Sequence, residues 1–116
     1  MRKRDRRNER GFTLIELLVV IVILGILAAV AVPRVVGAIS NARDKADEAS
    51  IAMIRSALER YYVDKGSYPP ATENAVNDLS VLVPEYLDKL PGSAHSNKVL
   101  SYSLVNGYPV VSYTTP

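Results

Sequence analysis

Gly11-Phe12-Thr13-Leu14-Ile15-Glu16 is the stretch that decides the fold, because it joins a basic N-terminus to a long apolar run. Residues 1–11 carry six Arg and Lys against two acidic side chains, a net charge of +4. From Phe12 to Pro33 the only charged side chain is Glu16. A carboxylate at bilayer depth is costly unless a partner compensates it, so Glu16 requires a functional explanation.

The apolar run is long enough to cross a membrane. Phe12–Val32 is 21 residues, and at about 1.5 Å per residue a helix of this length spans the hydrocarbon core. A basic segment before it predicts a cytoplasmic N-terminus and a translocated C-terminus. A plain signal anchor is one interpretation. A secretory signal peptide is another, with Leu17–Leu27 as its apolar region and Ala29-Val30-Ala31 as its cleavage site. Neither needs a buried acid, so Glu16 argues against both.

The segment from about Arg7 to Pro33 resembles the N-terminus of type IV prepilins and of type II secretion pseudopilins. In that family a basic leader ends in Gly, the mature chain usually begins with Phe, and Glu is its fifth residue. The resemblance therefore implies cleavage after Gly11 and N-methylation of Phe12, both by prepilin peptidase. Gly11 has no Cβ, which lets the peptidase approach the scissile bond closely.

The resemblance also gives Glu16 a role in assembly. Cleavage frees a positively charged amine on Phe12, which can pair with Glu16 of a neighbouring subunit already in the filament. Each charge alone is costly in an apolar core, whereas the pair is partly compensated, so it acts as a registry device. The implied partners are further copies in a helical homo-oligomeric filament, the prepilin peptidase and an inner-membrane assembly platform.

Proline and glycine interrupt the apolar run. Pro33 lies inside the helical pattern, between Gly25 and Gly37, and predicts a kink or local melting near residues 29–33. Alternatively, Pro33 only marks where the helix leaves the membrane. In similar filaments this region unwinds on assembly, which would allow the subunit to stretch.

Residues 37–66 continue the helix with an amphipathic pattern. We predict one helix from about residue 12 to 65, ending at Gly66, with residues 12–36 as the transmembrane and assembly half. Arg43–Asp47 and Arg55–Glu59 have the i,i+4 spacing of ion pairs, although a solvated face is the simpler interpretation. Two apolar stripes are expected to face neighbours or a head: Ile39, Ala42, Ala46, Ala49, Met53 and Ala57, and then Ile51, Ile54, Leu58, Tyr61 and Tyr62.

Residues 67–116 predict a small head after the helix. A short helix over about Glu73–Val83 would bury Val76, Leu79 and Leu82, and Pro84 could start one further turn. Asn106-Gly107 predicts a type I′ hairpin between Val99–Val105 and Tyr108–Tyr113. A lone hairpin is unstable in water, so it should pack on the long helix. We expect Leu100, Tyr102 and Leu104, or the opposite face if the register is reversed, to lie against Leu58, Tyr61 and Tyr62. The predicted fold class is α+β.

The sequence offers little support for catalysis, metal binding or nucleic-acid binding. The chain has no cysteine, and its only histidine, His95, lies in a polar loop without a marked nucleophile, so we predict no enzyme and no cofactor. Similar major pseudopilins often bind calcium in the C-terminal loop, but residues 91–101 contain no Asp or Glu. We therefore predict no metal site and a head that folds without calcium. The basic leader adjoins a membrane segment, which disfavours a nucleic-acid arm.

The sequence thus predicts a prepilin-type filament subunit, in the cytoplasmic membrane before assembly and in an extracellular filament afterwards. A cysteine-free type IV pilin is the specific expectation. The first alternative is a major pseudopilin of type II secretion or a competence pseudopilin. The second is a signal-anchored extracellular binding domain that never polymerises.

Overall fold

A computed structural model describes residues 11–116 of the 116-residue chain. The leader over residues 1–11 therefore lies outside the described residues, apart from Gly11. Helices and a hairpin confirm the predicted α+β class. In chain order the elements are α1 (Leu14–Lys65), α2 (Ala75–Leu79), a 3-10 helix (Ser80–Leu82), β1 (Val99–Val105) and β2 (Tyr108–Thr114).

The long helix has a recognisable cap at each end. At its start, the Glu16 amide donates to Thr13 Oγ1 at 3.3 Å, and the Leu17 amide to the Thr13 carbonyl at 3.2 Å. At its end, Gly66 has φ +77° and donates its N–H to the Tyr62 carbonyl at 2.8 Å. This left-handed conformation favours glycine, so the helix ends where the sequence predicts.

The described chain divides into two compact units, residues up to Ala38 and residues Ile39–Pro116. In the first unit every described residue is exposed, including the whole apolar run. By length and composition, α1 is the one helix within residues 11–116 that could cross a membrane. An exposed apolar helix is not stable in water by itself, so lipid or other protein must cover it.

The second unit, which we call the head, has one hydrophobic core. Ile54, Ala57 and Leu58 of α1 form its floor, and the hairpin and α2 cover them. Leu79 and Leu82 are fully buried because α2 and the 3-10 helix turn the same face inward. The buried apolar set is Ile54, Ala57, Leu58, Ala75, Leu79, Leu82, Tyr86, Leu87, Tyr102 and Val111.

The apolar stripes were predicted too broadly. Met53 and Tyr62 remain 53% and 45% exposed. The part of the head that follows α1 covers only the strip of this helix centred on Ile54 and Leu58. Tyr62 instead stacks on Tyr68, with ring centroids 4.7 Å apart.

The short helix is shorter than predicted, and one of its three inward residues was misplaced. The Asn77 amide donates to Asn74 Oδ1 at 3.2 Å, so this cap starts α2 after Glu73. Val76 is 55% exposed. Pro84 does not begin a helix: residues 83–86 form a turn, in which the Tyr86 amide donates to the Leu82 carbonyl at 2.9 Å.

The hairpin has the predicted turn and strand pairing. Asn106 and Gly107 have φ of 52° and 81°, as a type I′ turn requires, and Val105 pairs with Tyr108 beside it. Tyr102 and its partner Val111 face the core at 5% and 2% exposure. Leu104 is on the same face but 38% exposed, because it lies near the turn, beyond the covered strip. Its predicted burial is therefore wrong.

Hydrogen bonds satisfy the polar groups around this core. The Tyr102 hydroxyl donates to the Pro69 carbonyl at 2.8 Å, and the Tyr86 hydroxyl donates to Asp64 Oδ2 at 2.7 Å. Burial raises the pKa of Tyr102 to about 12. The hydrogen bond to Asp64, with burial, raises the pKa of Tyr86 to about 12. A tyrosine hydroxyl is protonated at neutral pH even at its ordinary pKa of about 10, and the raised pKa keeps both hydroxyls as donors to higher pH.

Candidate functional site

The motif residues Phe12 and Glu16 flank the first turn of α1. Thr13 caps this turn, and Glu16 occupies the third helical position, which is the Thr-x-x-Glu spacing of a capping box. A negative side chain in the first turn is also favoured by the helix dipole. The local sequence thus fixes where the carboxylate leaves the helix, one turn from the Phe12 backbone nitrogen.

The first turns of α1 present an open apolar surface around this carboxylate. Phe12 is 87% exposed and Ile15 is 70% exposed. Together with Glu16, Val19 and Val20 they line a surface depression of about 400 Å³. The described residues offer Glu16 no basic partner within salt-bridge distance. An acid in this setting can bind a cation delivered by another molecule.

Gly25, Pro33 and Gly37 all lie within the continuous helix α1. A Cβ added at Gly25 or Gly37 would meet nothing within 4 Å, so packing within one described chain does not require glycine there. Pro33 lacks an N–H and leaves a helical carbonyl without its usual donor. Melting of residues 29–33 on assembly stays a prediction.

A second polar cluster lies in the head, where α1 meets the loop before β1. Asp47 is 6% exposed and accepts two short hydrogen bonds, from the Ser93 hydroxyl at 2.8 Å and from the Ala94 amide at 2.7 Å. One turn earlier, Asp44 Oδ1 lies 2.9 Å from His95 Nε2. Two carboxylates of the helix therefore hold three consecutive residues of the loop.

Lys98 adds a positive charge between these carboxylates. Its Nζ lies 3.7 Å from Asp44 Oδ1 and 3.9 Å from Asp47 Oδ2. Burial alone would raise the pKa of the Asp47 carboxyl. The hydrogen bonds from Ala94 and Ser93, with the charges of His95 and Lys98, outweigh it and lower that pKa below its ordinary value. Asp47 is thus held ionised by the loop.

Neither of the two i,i+4 spacings noted along α1 gives an ion pair. Asp47 turns toward the loop and not toward Arg43, because hydrogen bonds from the Ser93 hydroxyl and the Ala94 amide, with the Lys98 ammonium, outcompete one exposed guanidinium. Arg55 and Glu59 likewise form no ion pair within residues 11–116, and Glu59 accepts from the Tyr68 hydroxyl at 3.1 Å.

The cluster of Asp44, Asp47 and Lys98 is poorly suited to bind a divalent cation. Residues 11–116 contain no group of three or more His, Cys, Asp or Glu side chains that could hold a metal ion. The Lys98 ammonium occupies the region between the two carboxylates, where it would repel a divalent cation. Folding of the head without calcium stays a prediction.

Replacing Asp47 by Asn should lower the melting temperature of the head at neutral pH. Because its folded-state pKa lies below the unfolded value of about 3.9, the carboxylate stabilises the fold above that pH. This stabilisation is lost as the pH falls through the folded-state pKa, so wild type and D47N should converge in acid. Thermal melts of the detergent-solubilised chain from about pH 7 to pH 3 measure the difference.

Glu48 provides the matched control for that comparison. It pairs only with Lys45, at 3.1 Å, and both side chains are largely exposed. Exposed pairs of this kind contribute little, so E48Q should melt close to wild type at every pH. A D47N difference that did not change with pH would contradict the role given to the carboxylate.

Sequence reasoning missed three contributors to these sites. The Thr13 cap could have been found from its Thr-x-x-Glu spacing. Asp47 and Ser93 are 46 residues apart, and no local pattern marks their contact. The same holds for buried Asp78, which accepts from the Thr72 amide and hydroxyl at 2.7 Å each and ties the linker to α2.

Comparison with protein families matches both halves of the chain. Residues 6–32 match the prokaryotic N-terminal methylation motif. Residues 34–102, which are 69 of the 116 residues, match protein G of the type II secretion system. No solved structure matches the chain.

Curated relatives give the same result. A type II secretion system core protein G from Klebsiella michiganensis is 44% identical over 78 residues, which cover 64% of this chain and 51% of the relative. The Pseudomonas aeruginosa protein of the same name is 47% identical over 64 residues, covering 55% and 45%. That of Pectobacterium carotovorum is 42% identical over 71 residues, covering 61% and 45%. The chain spans about half the length of the curated relatives it matches.

Proposed function

Because this chain belongs to the type II secretion system protein G family, we propose that it is a structural pseudopilin subunit that polymerises through its N-terminal helix. Prepilin peptidase cuts it after Gly11 and methylates the new amine of Phe12. The subunit then leaves the membrane and joins a helical filament of identical copies. This role requires no catalytic residue of its own.

The observation that carries the proposal is the exposed Glu16 at the start of an apolar helix. Every residue from Gly11 to Ala38 is exposed, so the helix needs lipid before assembly and neighbouring helices after it. Among those neighbours, the Phe12 amine of an incoming copy compensates the Glu16 charge. The match of residues 6–32 to the N-terminal methylation motif supports this use of the two residues.

The comparisons favour the secretion pseudopilin over the type IV pilin that the sequence first suggested. The matched relatives are named as core proteins of type II secretion. The proposed subunit therefore sits N-in and C-out in the cytoplasmic membrane, and its filament works in secretion. The inner-membrane assembly platform is the proposed partner that extracts it. The non-polymerising anchored domain is the less favoured alternative, because it gives Glu16 no role.

Mass spectrometry of the purified protein tests the processing step. We expect a mature chain that begins at Phe12 and carries one added methyl group on its amine. In a G11V variant the larger side chain should block the peptidase, and the leader should stay attached. A variant with Gly92 replaced by Val, in a polar loop of the head, should be processed like wild type.

A different N-terminus would contradict this processing. A chain starting at Val32 would indicate cleavage by signal peptidase and a secreted monomer. Electron microscopy of sheared filaments, with mass spectrometry of their subunit, tests polymerisation itself. Correctly processed protein that never forms filaments would contradict the proposal and favour the non-polymerising, membrane-anchored binding domain.

A further inference from the structure

The hairpin of the head has an outer face with unusual composition. Residues 99–116 contain no Asp, Glu, Lys or Arg, whereas residues 39–98 contain 16 of them. Tyr102 and Val111 point to the core, so residues an odd number of positions away point outward. Those outward residues include Val99, Val105, Tyr108 and Val110, which are 50%, 53%, 71% and 44% exposed. We call these four the outer hairpin face.

Aromatic side chains extend this face toward the end of α1. Tyr62 and Tyr68 stack at 4.7 Å. The Tyr68 hydroxyl also donates to Glu59 Oε1 at 3.1 Å, so this aromatic pair is held against the last turns of α1.

The strand edges also lack charged side chains. The sheet of the described residues has two strands, so each strand leaves one edge without a ladder partner. Soluble monomers usually protect such edges with lysine, other charges or a covering element. Here the whole hairpin is uncharged, so no charged side chain opposes the approach of another protein surface.

We propose that the outer hairpin face is a lateral contact between heads, covered by a second copy of this chain in the filament. The proposal rests on the proposed polymerisation. Copies in a helical filament meet through two different surfaces, and an uncharged face can be buried there without leaving an unpaired ion. Serine and threonine share this face with the apolar residues, which suits protein more than lipid. Nucleic acid and anionic lipid would require basic residues, which this face lacks.

A charge introduced into this face should block assembly without affecting processing. V105E should reduce the yield of sheared filaments roughly tenfold or more, because the carboxylate would be buried without a partner. V76E is the matched control, since Val76 is 55% exposed on α2 and lies outside the face. Its filament yield should stay within about twofold of wild type, as expected for an exposed substitution. Equal yields from V105E and V76E would overturn the proposal.

Cysteine labelling gives a second measurement that does not depend on a charged variant folding. The chain has no cysteine, so Y108C and V76C each introduce a single reactive thiol. Both should react with a soluble maleimide in unassembled membrane subunits. In filaments, Y108C should be protected and V76C should still react. Equal labelling of Y108C before and after assembly would overturn the head contact and leave the face open to another protein. Absence of filaments from unsubstituted chain would overturn the proposed function as well.

Discussion

Replacing Glu16 by Gln should leave membrane insertion intact or improved and should reduce filament assembly roughly a hundredfold or more, since a buried amine would lose its only compensating charge. Insertion improves because the apolar segment loses its one charged side chain. The helix cap should survive, because it joins the Glu16 backbone amide to the Thr13 hydroxyl and does not use the Glu16 side chain.

Three measurements separate an effect on assembly from effects on membrane insertion and on processing. Membrane fractionation gives the amount inserted, mass spectrometry gives the Phe12 terminus, and electron microscopy of sheared material gives filament yield. E48Q, which removes an acid outside the apolar run, should assemble like wild type. Normal filament yield from E16Q would show that the carboxylate is not the registry device.

Truncating Leu79 to Ala should destabilise the head by about 2–5 kcal/mol, because a fully buried side chain leaves a cavity. Leu79 lies in α2, so the change leaves the long helix untouched. Denaturant titration of the detergent-solubilised chain, followed through its tyrosines, measures the shift in midpoint. A loss of this size is a large fraction of the stability of so small a domain.

Leu104 provides the matched substitution. It makes the same chemical change at a position that is 38% exposed, and L104A should cost at most about 1 kcal/mol. If L104A destabilised the head as much as L79A, the end of the hairpin would have to be packed more tightly than this structure has it.

Local patterns determined most of the secondary structure. The apolar periodicity with Gly66 after it predicted a helix ending at Lys65, and Asn106-Gly107 predicted the turn, because both depend on backbone preferences of neighbouring residues. The order Gly11, Phe12, Glu16 likewise indicated the family, since residues 6–32 match the N-terminal methylation motif as one contiguous segment.

Which residues of each element are buried depended on the tertiary structure. Met53, Val76 and Leu104 fit their apolar patterns, yet each is exposed. In so small a head, the elements bury only a narrow strip of each other's surface. The pattern alone could not give the width of that strip.

The clusters around Asp47 and Asp78 show the same limit for polar residues. By itself the sequence determined the long helix, the hairpin turn and the N-terminal methylation motif, because these are encoded by residues close together in the chain. Only the tertiary structure placed Asp47 against Ser93 and Lys98, and Asp78 against Thr72. A buried carboxylate takes whichever donors folding brings to it, and for Asp47 these come from a loop 46 residues away, beyond the reach of any local pattern.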